Sequence, residues 1–215
     1  MTTVDDIIVA PPSDDAVLDP MAWFATPGPF EIEVGCGKGG FLLARARALP
    51  HVRLLGIEWA NKYYRYCADR MARWQLTNVR VMRADAAHFI AHHLPPACVS
   101  VMHVYHPDPW PKKRHQKRRL FQPAFVAAAV RVLVPGGRLC VQSDHAPYFE
   151  HIRTVLVAHA ELEPCAWAAS GAVPDPAWTG TNFEIKYVRD GRSIYRLAVT
   201  RRPTGRIGRE PPRDA

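Results

Sequence analysis

The stretch FEIEVGCGKGGFLLARARAL, residues 30–49, decides how the rest of the chain is read. It begins as a short run of strand-forming residues and then passes through Gly35, Gly37 and Gly39. The residues that follow have helical spacing, with one apolar stripe made of Leu42, Leu43, Ala46 and Leu49. Glycine allows a tight turn and a close approach of backbone to a ligand, and a helix N-terminus suits anionic groups. The stretch therefore predicts a strand, a glycine turn and a helix at a ligand site.

The same alternation of strand and helix continues along the chain. Further strands are predicted over 51–60, 78–85, 98–106 and 135–144, and weaker ones near 161–168 and 192–200. Helices are predicted over 61–76, 118–134 and 146–160. In the second of these, Pro123 indicates either a kink or a start nearer 122. Alternation of this kind is typical of a doubly wound, mostly parallel α/β sheet of Rossmann-like type. The last two strands lack a clear helix between them, so we expect an antiparallel strand at one edge.

Length and charge divide the chain of 215 residues into three parts. Residues 1–28 are expected to be a loose acidic, Pro-rich arm, 29–201 to be one α/β domain, and 202–215 to be a disordered tail. The net charge is +8 and the pI about 9.5, which favours a polyanionic partner. The arm contains no Lys or Arg, so the positive charge lies further along the chain.

The five cysteines are an odd number and contain no C-x-x-C pair. This predicts reduced thiols in a cytoplasmic protein and no disulfide framework. We expect no signal peptide and no membrane segment, because no stretch reaches about 18 apolar residues. His88 and His92 lie four residues apart, but no acid or Cys completes a ligand pattern, so no metal is expected.

Acidic residues follow the predicted strands at the positions where such sheets bind ligands. Glu58 lies 23 residues after Gly35, where a carboxylate can accept both hydroxyls of a ribose. Asp85 ends the third strand, where it can meet an adenine amino group or fix the loop, and Glu33 lies within the first strand. The pattern predicts an adenosine-containing cofactor. Because Gly40 also completes G-x-G-x-x-G, the spacing leaves NAD and S-adenosylmethionine both open.

The stretch HPDPWPKKRHQKRRL, residues 106–120, does not fit an ordinary surface loop. Its alternating prolines limit where Asp108 and Trp110 can point. Six cations follow within eight positions: Lys112, Lys113, Arg114, Lys117, Arg118 and Arg119. A cationic run often marks a solvated helix face, but this run carries one sign of charge and adjoins the expected ligand crevice. Cations can contact phosphates and an aromatic ring can stack on a base, so we predict nucleic-acid binding.

DPWPKKRHQKRR resembles the signature of the bacterial single-chain tRNA (guanine-N7)-methyltransferase family. The resemblance runs from about Glu31 to Arg201 and includes EVGCGKG, GIEWANK, VPGGRLCVQSD and TNFEIKYVRDGR. It implies a class I methyltransferase that uses S-adenosylmethionine and forms N7-methylguanosine in the variable loop of tRNA. We expect tRNA as the partner of a cytoplasmic protein, and the sequence leaves monomer and homodimer both open.

The resemblance assigns residues as well as an activity. It places Glu33, Glu58, Asp85 and Asp108 at S-adenosylmethionine, beside the turn glycines Gly35 and Gly37. It places Lys112, Asp144, Thr181, Asn182, Phe183 and Glu184 at the substrate. Asp144 is equally well read as the N-cap of the next helix. The chain departs from the family pattern in carrying Asn182 where many members have Lys, and His106 where an apolar aromatic is common.

Asp108 is our candidate catalytic residue. Guanine N7 has an in-plane lone pair and no proton, so its methylation needs orientation of the base and not a general base. Two other functions are weighed against methyl transfer. An NAD-dependent oxidoreductase requires a different loop after the fourth strand, and a noncatalytic RNA-binding protein does not require the three acids Glu58, Asp85 and Asp108.

Overall fold

The computed structural model describes residues 1–14, 16–167 and 181–203, and of 182–185 it describes only the backbone. The described strands are β1 Ile8–Val9, β2 Phe30–Val34, β3 Arg53–Ile57, β4 Val79–Met82, β5 Val99–Tyr105, β6 Leu133–Ser143, β7 Leu162–Cys165 and β8 Tyr195–Arg201. The α-helices are α1 Val4–Ile7, α2 Gly40–Ala48, α3 Asn61–Arg73, α4 Ala86–His92, α5 Pro123–Val132, α6 Ala146–Val157 and α7 Asn182–Arg189. Two 3-10 helices cover Pro20–Trp23 and Lys113–Arg118.

The strands form one sheet in the order β1-β4-β3-β2-β5-β6-β8-β7. Neighbouring strands from β1 to β6 are parallel, whereas β8 is antiparallel to both β6 and β7. The predicted doubly wound sheet with an antiparallel strand near one edge is confirmed. The chain runs outward from β2 in one direction through β3 and β4, and in the other through β5 and β6. The switch point where ligands bind in such folds lies between β2 and β5.

Side chains of β2 alternate between the two faces of the sheet. Phe30, Ile32 and Val34 join the largest apolar core, together with residues of α4, α5 and α6. Glu31 and Glu33 point to the opposite face, which α2 covers. Since the central strand is buried on both faces, both carboxylates lie inside the protein.

The N-terminal segment is more ordered than the loose arm that the sequence suggested. Ile8–Val9 pairs in parallel with β4, and Ile7 is fully buried beside α3. These apolar residues supply the contacts that anchor the segment to the edge of the sheet. The boundaries 1–28, 29–201 and 202–215 remain a prediction, and the tail from 204 onward lies outside the described residues.

Helix boundaries are shorter than the periodicity suggested. The helix predicted over 118–134 begins at Pro123, since proline is favoured in the first turn and the preceding cationic residues form a 3-10 helix. The helix predicted over 61–76 covers Asn61–Arg73, and its N-cap is Ala60. Within the described parts of the chain, no helix is long and apolar enough to cross a membrane.

Candidate active site

A pocket of about 700 Å³ opens at the carboxyl ends of β2, β3 and β5, at the switch point of the sheet. The structure brings together there eight of the site residues predicted from sequence, namely Glu33, Gly35, Gly37, Glu58, Asp85, Asp108, Arg118 and Thr181. The pocket also contains Tyr105 and Lys186, which sequence reasoning did not select. Its position and lining make it the candidate site for cofactor and base.

The glycines of the turn after β2 are required for two different structural reasons. Gly35 and Gly37 have φ of +74° and +53°, and a Cβ at either would meet nothing within 4 Å. Both therefore leave open space along the pocket wall where a ligand can approach the backbone. Gly39 has φ of +68°, and its Cβ would lie 2.5 Å from Cys67 Sγ. Gly39 thus allows α2 to pack closely against α3.

Glu58 is held in position by the backbone around it. The N–H of Gly37 donates to Oε2 at 2.9 Å, and the N–H of Ala60 donates to Oε1 at 2.8 Å. A carboxylate offers about four acceptor positions, so both oxygens retain capacity for further hydrogen bonds. A carboxylate fixed in this way beside the glycine turn suits the two hydroxyls of a ribose.

Glu33 is a buried acid with an unsatisfied oxygen. Its exposed fraction is 4%, and Oε2 has no hydrogen-bond partner among the described residues. Burial raises the pKa of Glu33 well above its ordinary range, and the nearby Cys67 and Glu58 add to the rise. Buried polar atoms are normally paired, so an acceptor that lines a pocket without a partner indicates a ligand with a donor or a positive charge.

Glu31, two residues earlier on the same face, has a complete set of partners. Arg45 donates to it from Nε at 2.8 Å and from Nη2 at 2.7 Å, and His103 Nε2 donates at 3.0 Å. The Tyr105 hydroxyl donates to His103 Nδ1 at 2.9 Å. Burial alone raises the pKa of Glu31, but the hydrogen bonds from His103 and Arg45 outweigh it and bring that pKa to about 2. The network includes Tyr105, which lies in the pocket wall.

Asp85 caps the helix that follows β4. Its Oδ1 accepts the backbone N–H of His88 at 3.0 Å, which satisfies one free donor at the start of α4. The side chain also borders the pocket. Of the two roles expected for this acid, the structure shows the fixing of the loop.

Asp108 projects from a constrained loop between β5 and the cationic 3-10 helix. His106 and Trp110, which flank it, have φ of +52° and +40°, a region that non-glycine residues rarely adopt. Arg118 lies over the Trp110 ring at 5.1 Å, and Arg119 Nε donates to the carbonyl of Pro109 at 2.9 Å. These contacts hold the exposed Asp108 at the mouth of the pocket.

The cationic run divides into residues that face solvent and residues that serve the loop. Lys112, Lys113, Arg114 and Lys117 are exposed, and Arg118 borders the pocket. The structure corrects the prediction for Arg119, which is only 8% exposed and lies over the Tyr148 ring at 4.8 Å. Arg119 stabilises the loop from within, because its hydrogen bond to Pro109 directs the guanidinium inward.

Among the predicted substrate residues of the C-terminal half, Asp144 lies beside His106. Asp144 Oδ2 accepts from Arg192 Nη1 at 2.9 Å, and Asp144 Oδ1 lies 3.5 Å from His106 Nδ1. The N-cap of α6 is His145, which excludes the capping role for Asp144. Thr181 is buried in the pocket wall. Asn182, Phe183 and Glu184 begin α7, and their side chains lie outside the described residues, as does any contact they make.

Comparison with known proteins gives the chain a family. A family model described as "Putative methyltransferase" matches residues 27–197. The tRNA (guanine-N(7)-)-methyltransferase of Alkalilimnicola ehrlichii is 38% identical over 183 residues, which cover 83% of this chain and 75% of that protein. This chain belongs to the tRNA (guanine-N7)-methyltransferase family. Another member, from Nocardia farcinica, is 45% identical over 148 residues, which cover 69% of this chain and 55% of that relative's length.

Solved structures support the fold of this family member. The aminoglycoside resistance methyltransferase NpmB1 superposes with a TM-score of 0.55 at 20% identity, over 82% of this chain and 89% of that one. At this level of identity the likeness concerns the fold. It agrees with a class I methyltransferase sheet whose ligand pocket lies at the switch point.

Proposed function

We propose that this chain transfers a methyl group from S-adenosylmethionine to N7 of a guanosine in the variable loop of tRNA. The observation that carries the proposal is the unsatisfied Glu33 oxygen in a pocket whose mouth is formed by the Asp108 loop. Membership of the tRNA (guanine-N7)-methyltransferase family supports the same chemistry. We further propose that the protein works in the cytoplasm, as a monomer or homodimer and without a metal.

The pocket fits the chemical groups of the cofactor. S-adenosylmethionine, when bound, supplies a methyl group on a cationic sulfonium, and it also carries an ammonium group. Glu33, once ionised, provides the buried negative charge that such a cation requires. The bound cation in turn gives Glu33 Oε2 the partner that it lacks among the described residues. Glu58 provides two oriented acceptors for the ribose, and Asp85 lies where the adenine ring would follow.

The loop after β5 supplies orientation. Guanine presents two donors, N1–H and N2–H₂, on the edge away from N7. We infer that Asp108 accepts from both donors, because a carboxylate can form such a paired contact from the pocket mouth. Holding the base in this way directs N7 toward the sulfonium methyl group, and orientation of two reactants contributes several kcal/mol to catalysis.

The exposed cations beside this loop supply affinity for RNA. Removing a guanosine from its stacked neighbours costs a few kcal/mol. Lys112, Lys113, Arg114 and Lys117 present positive charge next to the pocket mouth, where phosphates flanking the base would lie. We therefore expect binding to weaken steeply as salt is added.

The decisive experiment is methylation of unmodified tRNA with labelled S-adenosylmethionine, followed by mapping of the modified atom. The proposal predicts a label on guanosine N7 and a kcat, at saturating cofactor and tRNA, that falls roughly 10- to 100-fold in Asp108→Asn. Asp190→Asn is the matched control, since Asp190 is an exposed acid that pairs with Arg189. Absence of label, or full kcat in Asp108→Asn at saturating tRNA, would contradict the proposal. Binding of NAD in place of S-adenosylmethionine would favour the oxidoreductase alternative.

A further inference from the structure

A second cationic and aromatic surface lies on the outer side of α3. We call it the α3 surface and define it by Lys38, Arg47, Tyr66, Arg70, Arg73 and Trp74. Tyr66 is 47% exposed and Trp74 is 49% exposed, although both are large rings. The active site described above uses Lys38 alone among these residues.

The α3 surface is organised by contacts between its cations and its rings. Arg47 lies over the Trp74 ring at 4.3 Å, and Lys38 Nζ lies 6.0 Å from the centre of the Tyr66 ring. Arg70 Nη1 donates to the carbonyl of Lys38 at 3.2 Å, which ties α3 to the glycine turn. Together five of these residues line a shallow hollow of about 390 Å³.

Within the parts of the chain that the structure describes, Lys38, Arg47 and Arg70 form no ion pair with an acid, and Arg73 forms one. Arg73 forms an ion pair of 2.8 Å with Asp69, one turn earlier on α3, and both side chains are more than half exposed. Exposed pairs of this kind contribute little to stability, so Arg73 can exchange Asp69 for another anion at low cost. The surface therefore retains a net positive charge that suits a polyanion.

The α3 surface adjoins the active site on the side opposite the Asp108 loop and the cationic 3-10 helix that follows it. Lys38 lines both the shallow hollow and the active-site pocket. In the sheet β2 lies between β3, which leads into α3, and β5, which leads into the Asp108 loop. A polyanion that delivers a base to the pocket would thus pass one cationic surface on each side.

We propose that the α3 surface is a second docking surface for tRNA, in which Arg47, Arg70 and Arg73 contact phosphates and an unpaired base stacks on Tyr66 or Trp74. The proposal rests on the proposed function, since it takes tRNA as the partner. Cations interleaved with exposed aromatic rings are the combination with which proteins hold single-stranded nucleic acid. If these residues served only to stabilise α3, the rings of Tyr66 and Trp74 would not need to be exposed to solvent in the same hollow.

The test measures tRNA binding to the full-length protein as salt is varied, with Arg47→Gln and Arg73→Gln combined in one variant. These two arginines are exposed, and Arg70 is left in place because it supports the glycine turn. We expect the Kd for tRNA to rise roughly 5- to 30-fold and the slope of log Kd against log salt to fall by roughly 1 to 2. The combined Arg47→Lys and Arg73→Lys variant keeps the charge, so we expect it to restore most of the affinity.

Arg153→Gln is the matched control, because Arg153 is 57% exposed and forms an i,i+3 pair with Glu150 on α6, much as Arg73 pairs with Asp69. Equal tRNA affinity and equal salt slope in the double Gln variant and the wild type would overturn the docking surface. Because binding is measured without catalysis, this outcome is separate from failure of the proposed function, which would appear as tRNA that stays unmethylated by the wild type. A wild type that binds no tRNA would overturn both.

Discussion

Glu31 and Glu33 lie two residues apart on the same face of β2, and their surroundings differ completely. Glu31 is bound by Arg45 and His103, and its pKa is about 2. Glu33 leaves one oxygen without a partner, and burial raises its pKa well above the ordinary range. The comparison teaches that burial of an acid does not define its role. Glu31, whose partners satisfy it, supports the fold, whereas we propose that the unsatisfied oxygen of Glu33 faces the cofactor.

The largest expected effect is the loss of folding stability when Glu31 is removed. Glu31→Ala leaves the Arg45 guanidinium buried without its partner, so we expect the free energy of unfolding to fall by about 3–5 kcal/mol. Urea unfolding of the wild type and the variant measures this loss. A loss below about 1 kcal/mol would show that the network around Glu31 contributes little to the fold.

Acid should weaken the fold through the same residue. The pKa of Glu31 is lowered from an ordinary 4.5 to about 2 in the folded protein, so its contribution is present above pH 4.5 and is lost as pH falls toward 2. The loss reaches roughly 3 kcal/mol. Burial lowers the pKa of His103, which acts in the same direction because the unfolded chain takes up that proton first. Urea unfolding between about pH 6 and pH 3 measures the slope.

Glu31→Gln is the comparison for that slope, since it retains the shape of the side chain and removes the titrating group. We expect its stability to change less with pH than that of the wild type. Parallel pH profiles for the two proteins would contradict the assignment of the low pKa to Glu31.

We expect the affinity for the cofactor to depend on Glu33 and not on Glu31. Glu33→Gln removes the carboxyl group that can ionise to face the cationic cofactor, so we expect the Kd for S-adenosylmethionine to rise roughly 30-fold or more. Titration calorimetry measures the change, with Glu163→Gln as a control on the exposed side of β7. Unchanged affinity in Glu33→Gln would remove Glu33 from the cofactor site.

The smallest expected effect is on the stability of the Glu33→Gln protein itself. The raised pKa means that folding favours protonated Glu33, so the stabilising contribution is present below about pH 4.5 and declines as pH rises toward the folded pKa. At neutral pH we expect Glu33→Gln to be within about 1 kcal/mol of the wild type or more stable. Urea unfolding at pH values on both sides of neutrality tests this, and a loss as large as that of Glu31→Ala would contradict the comparison.

The order of the elements and the location of the pocket could be predicted from the sequence. Glu58 and Asp108 follow strands, and in a parallel sheet the carboxyl ends of neighbouring strands share one edge, so periodicity alone brought these residues together. The ends of helices were less accurate, because the cationic run before Pro123 has helical spacing but forms a separate 3-10 helix.

The buried network was missed because it depends on contacts between distant segments. The alternation in FEIEV was the available signal, since an acid inside a strand buried on both faces requires a partner, but nothing local pointed to Arg45 or His103. Arg119 was misassigned for a similar reason. A run of cations does not show which of its members turns inward, and the bond to Pro109 is visible only in three dimensions.

Proton release on cofactor binding reports on the ionisation of Glu33. Titration of S-adenosylmethionine at about pH 6, in two buffers of different ionisation enthalpy, counts the protons released when the ligand binds. Because burial raises the pKa of Glu33 and a cationic ligand favours its ionised form, we expect the wild type to release protons when the cofactor binds and Glu33→Gln to release fewer. Equal proton release by the two proteins, or binding with no release by the wild type, would contradict this expectation.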